Sequence, residues 1–207
     1  VSGCFISLEG GEGVGKSTQM RRLAETLRAR GKTVVETREP GGSPGAEAIR
    51  ALLLHGSGDR WTPRAEALLF AAARADHVAR TIRPALAAGQ YVLSDRFLDS
   101  SLAYQGGADG IGAEAIRALH LIGSEGLLPD RTLMLTLPAK EAAARAAARD
   151  REGADRFGAR DAAYHSRVMA SFLALAEAEP DRFRVIDALG EPPEVTDRLI
   201  AALDDLL

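Results

Sequence analysis

The chain of 207 residues holds one cysteine, Cys4, and no asparagine. A single thiol excludes a disulfide framework, a thiolate metal cluster and a CxxC redox pair, and it fits a reducing cytoplasm. Without asparagine there is no Asn-Lys-x-Asp motif of the kind with which guanine-specific GTPases read their base. No apolar run approaches the roughly 18 residues of a spanning helix, and no basic stretch followed by an apolar core marks a signal peptide, so no membrane partner is expected. Lysine is scarce as well: Lys16, Lys32 and Lys140 are the only three, and the remaining cations are arginines. A formal net charge of −3 argues against a general nucleic-acid or membrane-surface binder, which needs a basic face. An anionic substrate must therefore be held by local, placed cations.

What is present is a regular alternation. Short apolar runs at 4–8, 33–37, 91–94, 132–137 and 183–187 are separated by segments with helical spacing, such as Met20, Leu23 and Leu27, or Leu68, Ala72, Ala75, Val78 and Ile82. This pattern predicts an α/β fold with three layers, α/β/α, around a mainly parallel five-stranded sheet, in one domain over residues 1–207. Ligands of such sheets collect at the carboxyl ends of the strands. The charged clusters stand at those places: the glycine loop after the first strand, Arg38-Glu39-Pro40-Gly41-Gly42 after the second, Asp95-Arg96 after the third. The fourth strand leads through a helix into an arginine-rich stretch from Arg145 to Arg160.

Gly10, four residues, then Gly15, Lys16 and Ser17 match the phosphate-loop pattern in full, with an apolar strand before it and a helical pattern after it. Glycines allow the backbone angles that turn successive N–H groups inward, so that Gly10, Gly11, Glu12, Gly13, Val14, Gly15, Lys16, Ser17 and Thr18 can cradle a polyphosphate at a helix N-terminus. Lys16 is placed for the β- and γ-phosphates and the Ser17 hydroxyl for Mg²⁺. A glycine-rich turn with an incidental lysine is the competing reading, and the strand and helix on either side disfavour it. The loop identifies a nucleoside triphosphate site without naming a reaction. A motor or transporter ATPase would carry four apolar residues followed by an acidic pair, or a partner-sensing motif. Here Asp95 runs directly into Arg96, which favours a kinase whose acceptor is itself a phosphate.

The chain resembles bacterial thymidylate kinase over nearly its whole length, in the branch that carries its catalytic arginine in a lid. The resemblance rests on Leu8 to Gln19, Thr37 to Gly42, Leu69 to Arg74, Asp95-Arg96, Ser100-Ser101, Ala103 to Gly106 and Asp155-Arg156-Phe157. It implies a P-loop NTPase fold, ATP as donor with Mg²⁺ as cofactor, dTMP as acceptor, and a homodimer formed through the segment 64–88. It implies that thymine stacks on Phe70, that Arg74 donates to thymine O4, and that Ser101 and Gln105 lie near the base. Tyr104 would pack beneath the sugar, Glu12 would bind the 3′-OH, and Arg38 with Arg96 would clamp the acceptor phosphate beside Pro40. Asp95 would be a magnesium-linked carboxylate that orients Arg96. Two arginines suit a dianion because their planar forks bind it bidentately.

Phosphoryl transfer needs positive charge over the equatorial oxygens of the migrating group. The glycine loop has no arginine, so the resemblance assigns that charge to a mobile lid near 145–160, with Arg151 favoured over Arg149 and Arg156. Gly158 stands where the family often has glutamate. Asp187-Ala188 resembles the segment lining adenine. Taken singly, Phe70 and Arg74 could be a core aromatic under an amphipathic arginine, and the lid arginines an exposed helix face; the joint order of the motifs decides against both. His55, His77, His120 and His165 show no ligand spacing and read as surface or structural. Trp61 before Thr62-Pro63 reads as local packing at a helix start. A P-loop kinase for another nucleotide or small metabolite, and a non-catalytic ATP-sensing module, are the alternatives.

Overall fold

The computed structural model describes residues 3–56, 60–149, 157–158 and 160–207, with backbone only at Arg149. Five strands, β1 (Cys4–Glu9), β2 (Val34–Arg38), β3 (Tyr91–Asp95), β4 (Arg131–Thr136) and β5 (Phe183–Asp187), form one sheet in the order β2-β3-β1-β4-β5. Every pairing is parallel, as the strand–helix alternation predicts. The central strands β3, β1 and β4 are nearly all buried because helices cover both faces. Alternate residues of β1 divide between two cores. Cys4, Ile6 and Leu8 pack with Leu23 and Leu27 of α1 (Lys16–Ala29) and Val195 and Leu199 of α9 (Pro192–Ala201). Phe5 faces the other layer, with Val78, Ile82, Phe97 and Ile116.

That second layer holds α2 (Pro44–Leu54), α3 (Pro63–His77), α4 (Arg83–Ala87), α5 (Leu98–Ser101), α6 (Ala113–Ser124) and α8 (Ala162–Ala178); α7 (Ala139–Arg149) follows β4. Helix starts follow their sequence signals. Ser43 accepts from Ala46 N–H ahead of Pro44, Thr62 accepts from Ala65 N–H ahead of Pro63, and Asp161 accepts from Tyr164 N–H at 2.7 Å. Trp61 donates its ring N–H to Leu52 O, which is the local packing role read from sequence. A π-helical turn, Val78–Ile82, joins α3 to α4, so the chain runs helically from 63 to 87.

The stripe expected from Leu68 to Ile82 is buried at its far end, at Val78 and Ile82, and exposed at its start. Leu68 is 56% exposed and Ala72 is exposed, whereas Glu66, Ala67, Ala73, Arg74 and His77 are buried. α3 thus buries Glu66, Arg74 and His77 beside Ala67 and Ala73 and leaves Leu68 outside, a mixed face where an ordinary surface helix buries an apolar one. Among the described residues no helix is long and apolar enough to cross a membrane.

Candidate active site

A cavity of about 680 Å³ opens above the carboxyl ends of β1, β2 and β3. The glycine loop forms one end. Gly13 takes φ +73°, and a side chain there would collide with the Ala142 carbonyl of α7, so the loop and α7 approach as closely as backbones can. Lys16 is 8% exposed and donates to Gly10 O at 3.1 Å and Gly11 O at 2.7 Å. Its pKa is pushed down to about 8, first by burial and then by the Arg96 charge, against the pull of Asp95, Glu12 and Glu9. Ser17 Oγ donates to Asp95 Oδ2 at 3.2 Å, so the hydroxyl and the carboxylate expected at the metal sit together. A hydroxyl and a carboxylate beside a phosphate loop are the hard oxygen donors that Mg²⁺ takes. Val14 and Thr18 line the same end.

Arg96 stands at the centre. It follows β3 directly and takes φ +70°, a left-handed conformation that costs a residue with a Cβ about 1–3 kcal/mol. Three hydrogen bonds hold it there: Arg96 N–H to Leu8 O, Ser94 Oγ to Arg96 O, and Phe97 N–H to Glu9 Oε1. The guanidinium then donates to Gly10 O at 3.0 Å, Ser100 Oγ at 3.1 Å and Glu12 Oε1 at 2.7 Å, and lies 5.3 Å from the Tyr104 ring centroid. Glu9, fully buried, accepts also from Ser100 Oγ at 2.6 Å. Burial and the neighbouring Asp99 charge push its carboxyl up to about 8, against Arg96 and these two hydrogen bonds. Arg38 lines the cavity but is half exposed and donates to both Glu47 oxygens, at 2.9 and 3.0 Å.

The far end is built by α3 and the turn after α5. Arg74 is 3% exposed; its Nε donates to Glu39 Oε2 at 2.7 Å, and its Nη2 to Ser101 Oγ at 2.8 Å and Phe97 O at 3.2 Å. Its Nη1 has no partner among the described residues. Phe70 meets Phe157 edge-to-face at 5.6 Å, and Tyr104 meets Phe157 at 6.3 Å. Gln105 Nε2 donates to Glu66 Oε1 at 3.1 Å. A carboxylate accepts, so the amide offers its NH₂ to Glu66 and keeps its oxygen for the cavity. Pro40 lies on the same wall, after a cis peptide bond from Glu39.

The structure thus brings Glu12 to Thr18 of the loop, Arg38, Pro40, Phe70, Arg74, Asp95, Arg96, Ser101, Tyr104 and Gln105 to one cavity, while Gly10 and Gly11 lie behind its lining and offer their carbonyls to Lys16. Arg151 and Arg156 lie outside the described residues, as does the side chain of Arg149. Arg145 of α7 does line the cavity, as do Arg50 and Leu54 of α2; sequence reasoning gave none of the three a role, although Arg145 opens the arginine-rich stretch. Ala188, Gly190 and Val195 line the side beyond β5.

A parallel sheet with a phosphate loop after its central strand, and a buried lysine and two strand-end arginines, Arg38 and Arg96, on the same cavity, defines a P-loop kinase fold. The thymidylate kinase family model matches residues 8–199. The chain is 68% identical to a thymidylate kinase of Rhizorhabdus wittichii over 205 residues, 99% of each chain. It is 54% identical to one of Caulobacter vibrioides, covering 99% of this chain and 96% of that one. The crystal structure of thymidylate kinase from Ehrlichia chaffeensis superposes with a TM-score of 0.78 at 31% identity, over 99% of both chains. This chain belongs to the thymidylate kinase family.

Proposed function

We propose that this chain transfers the γ-phosphoryl group of Mg·ATP to dTMP, giving dTDP and ADP, a step in dTTP synthesis. The observation that carries the reading is the single cavity in which Arg96 joins a phosphate loop at one end to the Phe70–Arg74–Gln105 pocket at the other. Thymine presents an acceptor at O4 and a donor at N3–H. Arg74 Nη1 donates and the Gln105 oxygen accepts, in that order. Cytosine inverts both groups and would leave two buried polar groups opposed. Stacking on Phe70 contributes about 1–3 kcal/mol and does not select the base. Arg38 and Arg96 bind the acceptor phosphate, Arg38 by leaving Glu47. Glu12 receives the sugar hydroxyl and Tyr104 fills the space a 2′-OH would need.

Ser17 and Asp95 would hold Mg²⁺, which when bound neutralises phosphate charge. Lys16 and Arg96 stabilise the migrating group from the protein side. A lid over 145–160 closes the cavity and brings Arg151, or its neighbours Arg149 and Arg156, to that group, excluding water that would hydrolyse ATP. Cys4 fits a cytoplasmic setting: its thiol is buried and pushed up to about 12 by that burial, so it is a poor nucleophile.

Offering dTMP, dUMP, UMP, dCMP, AMP and GMP singly with Mg·ATP and following ADP release tests the reaction. Strong turnover with dTMP, weaker with dUMP and little with the rest is the expected pattern. Arg74→Ala should raise the dTMP KM about a hundredfold while the ATP KM stays within threefold, since a hydrogen bond from a charged group contributes about 1.5–3 kcal/mol. Equal changes in both constants would remove Arg74 from base reading.

The exposed apolar face of α3 and α6 supports the homodimer. Leu68, Leu121 and Ile122 are 56, 64 and 83% exposed, and Gly123 packs against Ala71 and Ala75 so that the two helices form one surface. Ile122→Lys is expected to convert a two-chain sedimentation mass to a one-chain mass at micromolar concentration; an unchanged mass would place the interface elsewhere.

A further inference from the structure

Behind Arg74 lies a second layer of hydrogen bonds, buried at Glu39 and His77 and half-buried at Thr37, in which none of these three groups has a place in the reaction. Glu39 is 4% exposed at its side chain and accepts from two donors: Arg74 Nε on Oε2 at 2.7 Å, and His77 Nδ1 on Oε1 at 3.0 Å. The His77 ring, with no exposed surface, reaches Thr37 Oγ1 through Nε2 at 2.6 Å. Glu39 accepts, so Nδ1 carries a proton and donates to Oε1, while Nε2 and the Thr37 hydroxyl share the second hydrogen bond.

The layer is walled on its other side by backbone. Gly42 has φ +87°, and a Cβ there would collide with both Thr37 Oγ1 and His77 Nε2. Thr81 Oγ1 donates to Gly42 O at 2.7 Å and ties that turn to the π-helical segment. His77 is one helical turn beyond Arg74 on the same face of α3, so the two residues reach Glu39 from one helix and Thr37 meets them from β2.

We infer that His77 is a specificity-determining positioning residue: by donating to one oxygen of Glu39 it keeps the other on Arg74 Nε, and so aims Arg74 Nη1 into the base pocket. This rests on the reading of Arg74 as the thymine O4 donor. A carboxylate with one donor missing is free to turn and take Nε and Nη2 together in a side-on bidentate pair. Nη2 would then be drawn off Ser101 and the Phe97 carbonyl, which hold it in the parent, and the planar group would carry Nη1 away from the base.

Two substitutions separate this role from bulk packing. His77→Asn keeps a donor where Nδ1 stands and loses the bond to Thr37. His77→Gln keeps an acceptor near Nε2 and loses the donor to Glu39. Steady-state kinetics with dTMP and dCMP, each against saturating ATP, would be run beside thermal melting. His77→Gln is expected to raise the dTMP KM about tenfold and to lower the dTMP-over-dCMP ratio of kcat/KM about tenfold, with kcat and the ATP KM within twofold. His77→Asn should stay within threefold of the parent in all four.

If both variants lower the melting temperature and active fraction together with the dTMP KM unchanged, His77 only packs and the inference fails. Where His77→Gln does not fold, His77→Ser, which removes the donor to Glu39 without adding bulk, should still raise the dTMP KM about tenfold in its folded fraction, and an unchanged KM overturns the role. Arg74→Lys in the same assay separates the underlying reading. A dTMP KM unmoved by Arg74→Lys sinks the base contact and the inference with it. A raised KM there with an unmoved one in His77→Gln sinks the inference alone.

Discussion

Lys16→Met is expected to lower kcat by about 10²–10³-fold with the dTMP KM within threefold, because one placed donor to the migrating charge is worth that much in a site sheltered from water. The methionine has similar length and no charge, so the loop can keep its shape while Gly10 O and Gly11 O lose their donor. The same residue gives a pH signature. Burial lowers Lys16 to about 8 in the absence of ligand. A bound polyphosphate favours the ammonium, so ATP binding takes up a proton at pH values above about 8. Apparent ATP affinity should therefore fall up to tenfold per unit as pH rises past 8, and calorimetry at pH 8.5 in two buffers of different ionisation enthalpy should register the uptake.

In Lys16→Met both effects should vanish. A parent enzyme without proton uptake would mean that Lys16 is already fully charged before ATP arrives. For stability the sign is set by the depressed value. The unfolded chain holds its lysine proton up to about 10.5, so between about 8 and 10.5 it binds more protons than the folded one, and folding stability gains from Lys16 as pH rises through that window. Below pH 8 the buried charge is a burden that methionine removes. Lys16→Met should thus melt higher than the parent at pH 7, and the gap should narrow above pH 8.

How much of this was legible in the sequence follows from the range of each signal. The strands are short apolar runs between helical patterns, and all five lie within a residue of where those runs stand. The phosphate loop is a local motif whose glycines and lysine act on their own neighbours. The rest of the site became legible through the ordered resemblance, because Phe70 and Arg74 taken alone are what any amphipathic helix could show.

Partners across elements left no such trace. Glu39 was visible as part of a motif, but nothing in its spacing announces that it lies between Arg74 and His77 of a helix 35 and 38 residues away. The sequence reads His77 as surface or structural, and its burial excludes the first; the signal that went unused is its position three residues beyond Arg74. Glu66 joins Gln105 over 39 residues. The exposed stripe of Leu68 and Ala72 is indistinguishable in sequence from a core face, since periodicity locates an apolar side without saying what covers it.

Arg96→Lys is the substitution expected to damage the acceptor side most: kcat/KM for dTMP should fall about 10²–10³-fold while the ATP KM stays within threefold. Charge is retained, so any loss measures geometry. The guanidinium spans Gly10 O, Ser100 Oγ and Glu12 at once from a left-handed backbone, and its planar fork can turn two donors to a phosphate. A lysine ammonium is one point of charge and cannot reach the loop carbonyl, the serine and the carboxylate together. Burial alone would lower the Arg96 pKa, but Tyr104, Glu12, Asp95 and Glu9 outweigh it and the direction is upward, so the cation persists throughout the working pH range. The strain at φ +70° is retained with lysine as well, and Ser94, Leu8 and Glu9 continue to hold the backbone. Circular dichroism and melting should therefore stay close to the parent. Varying each substrate in turn, with dTMP binding measured by calorimetry without ATP, separates the outcomes. A loss confined to the ATP KM would move Arg96 to the donor side of the cavity and leave Arg38 to hold the acceptor phosphate.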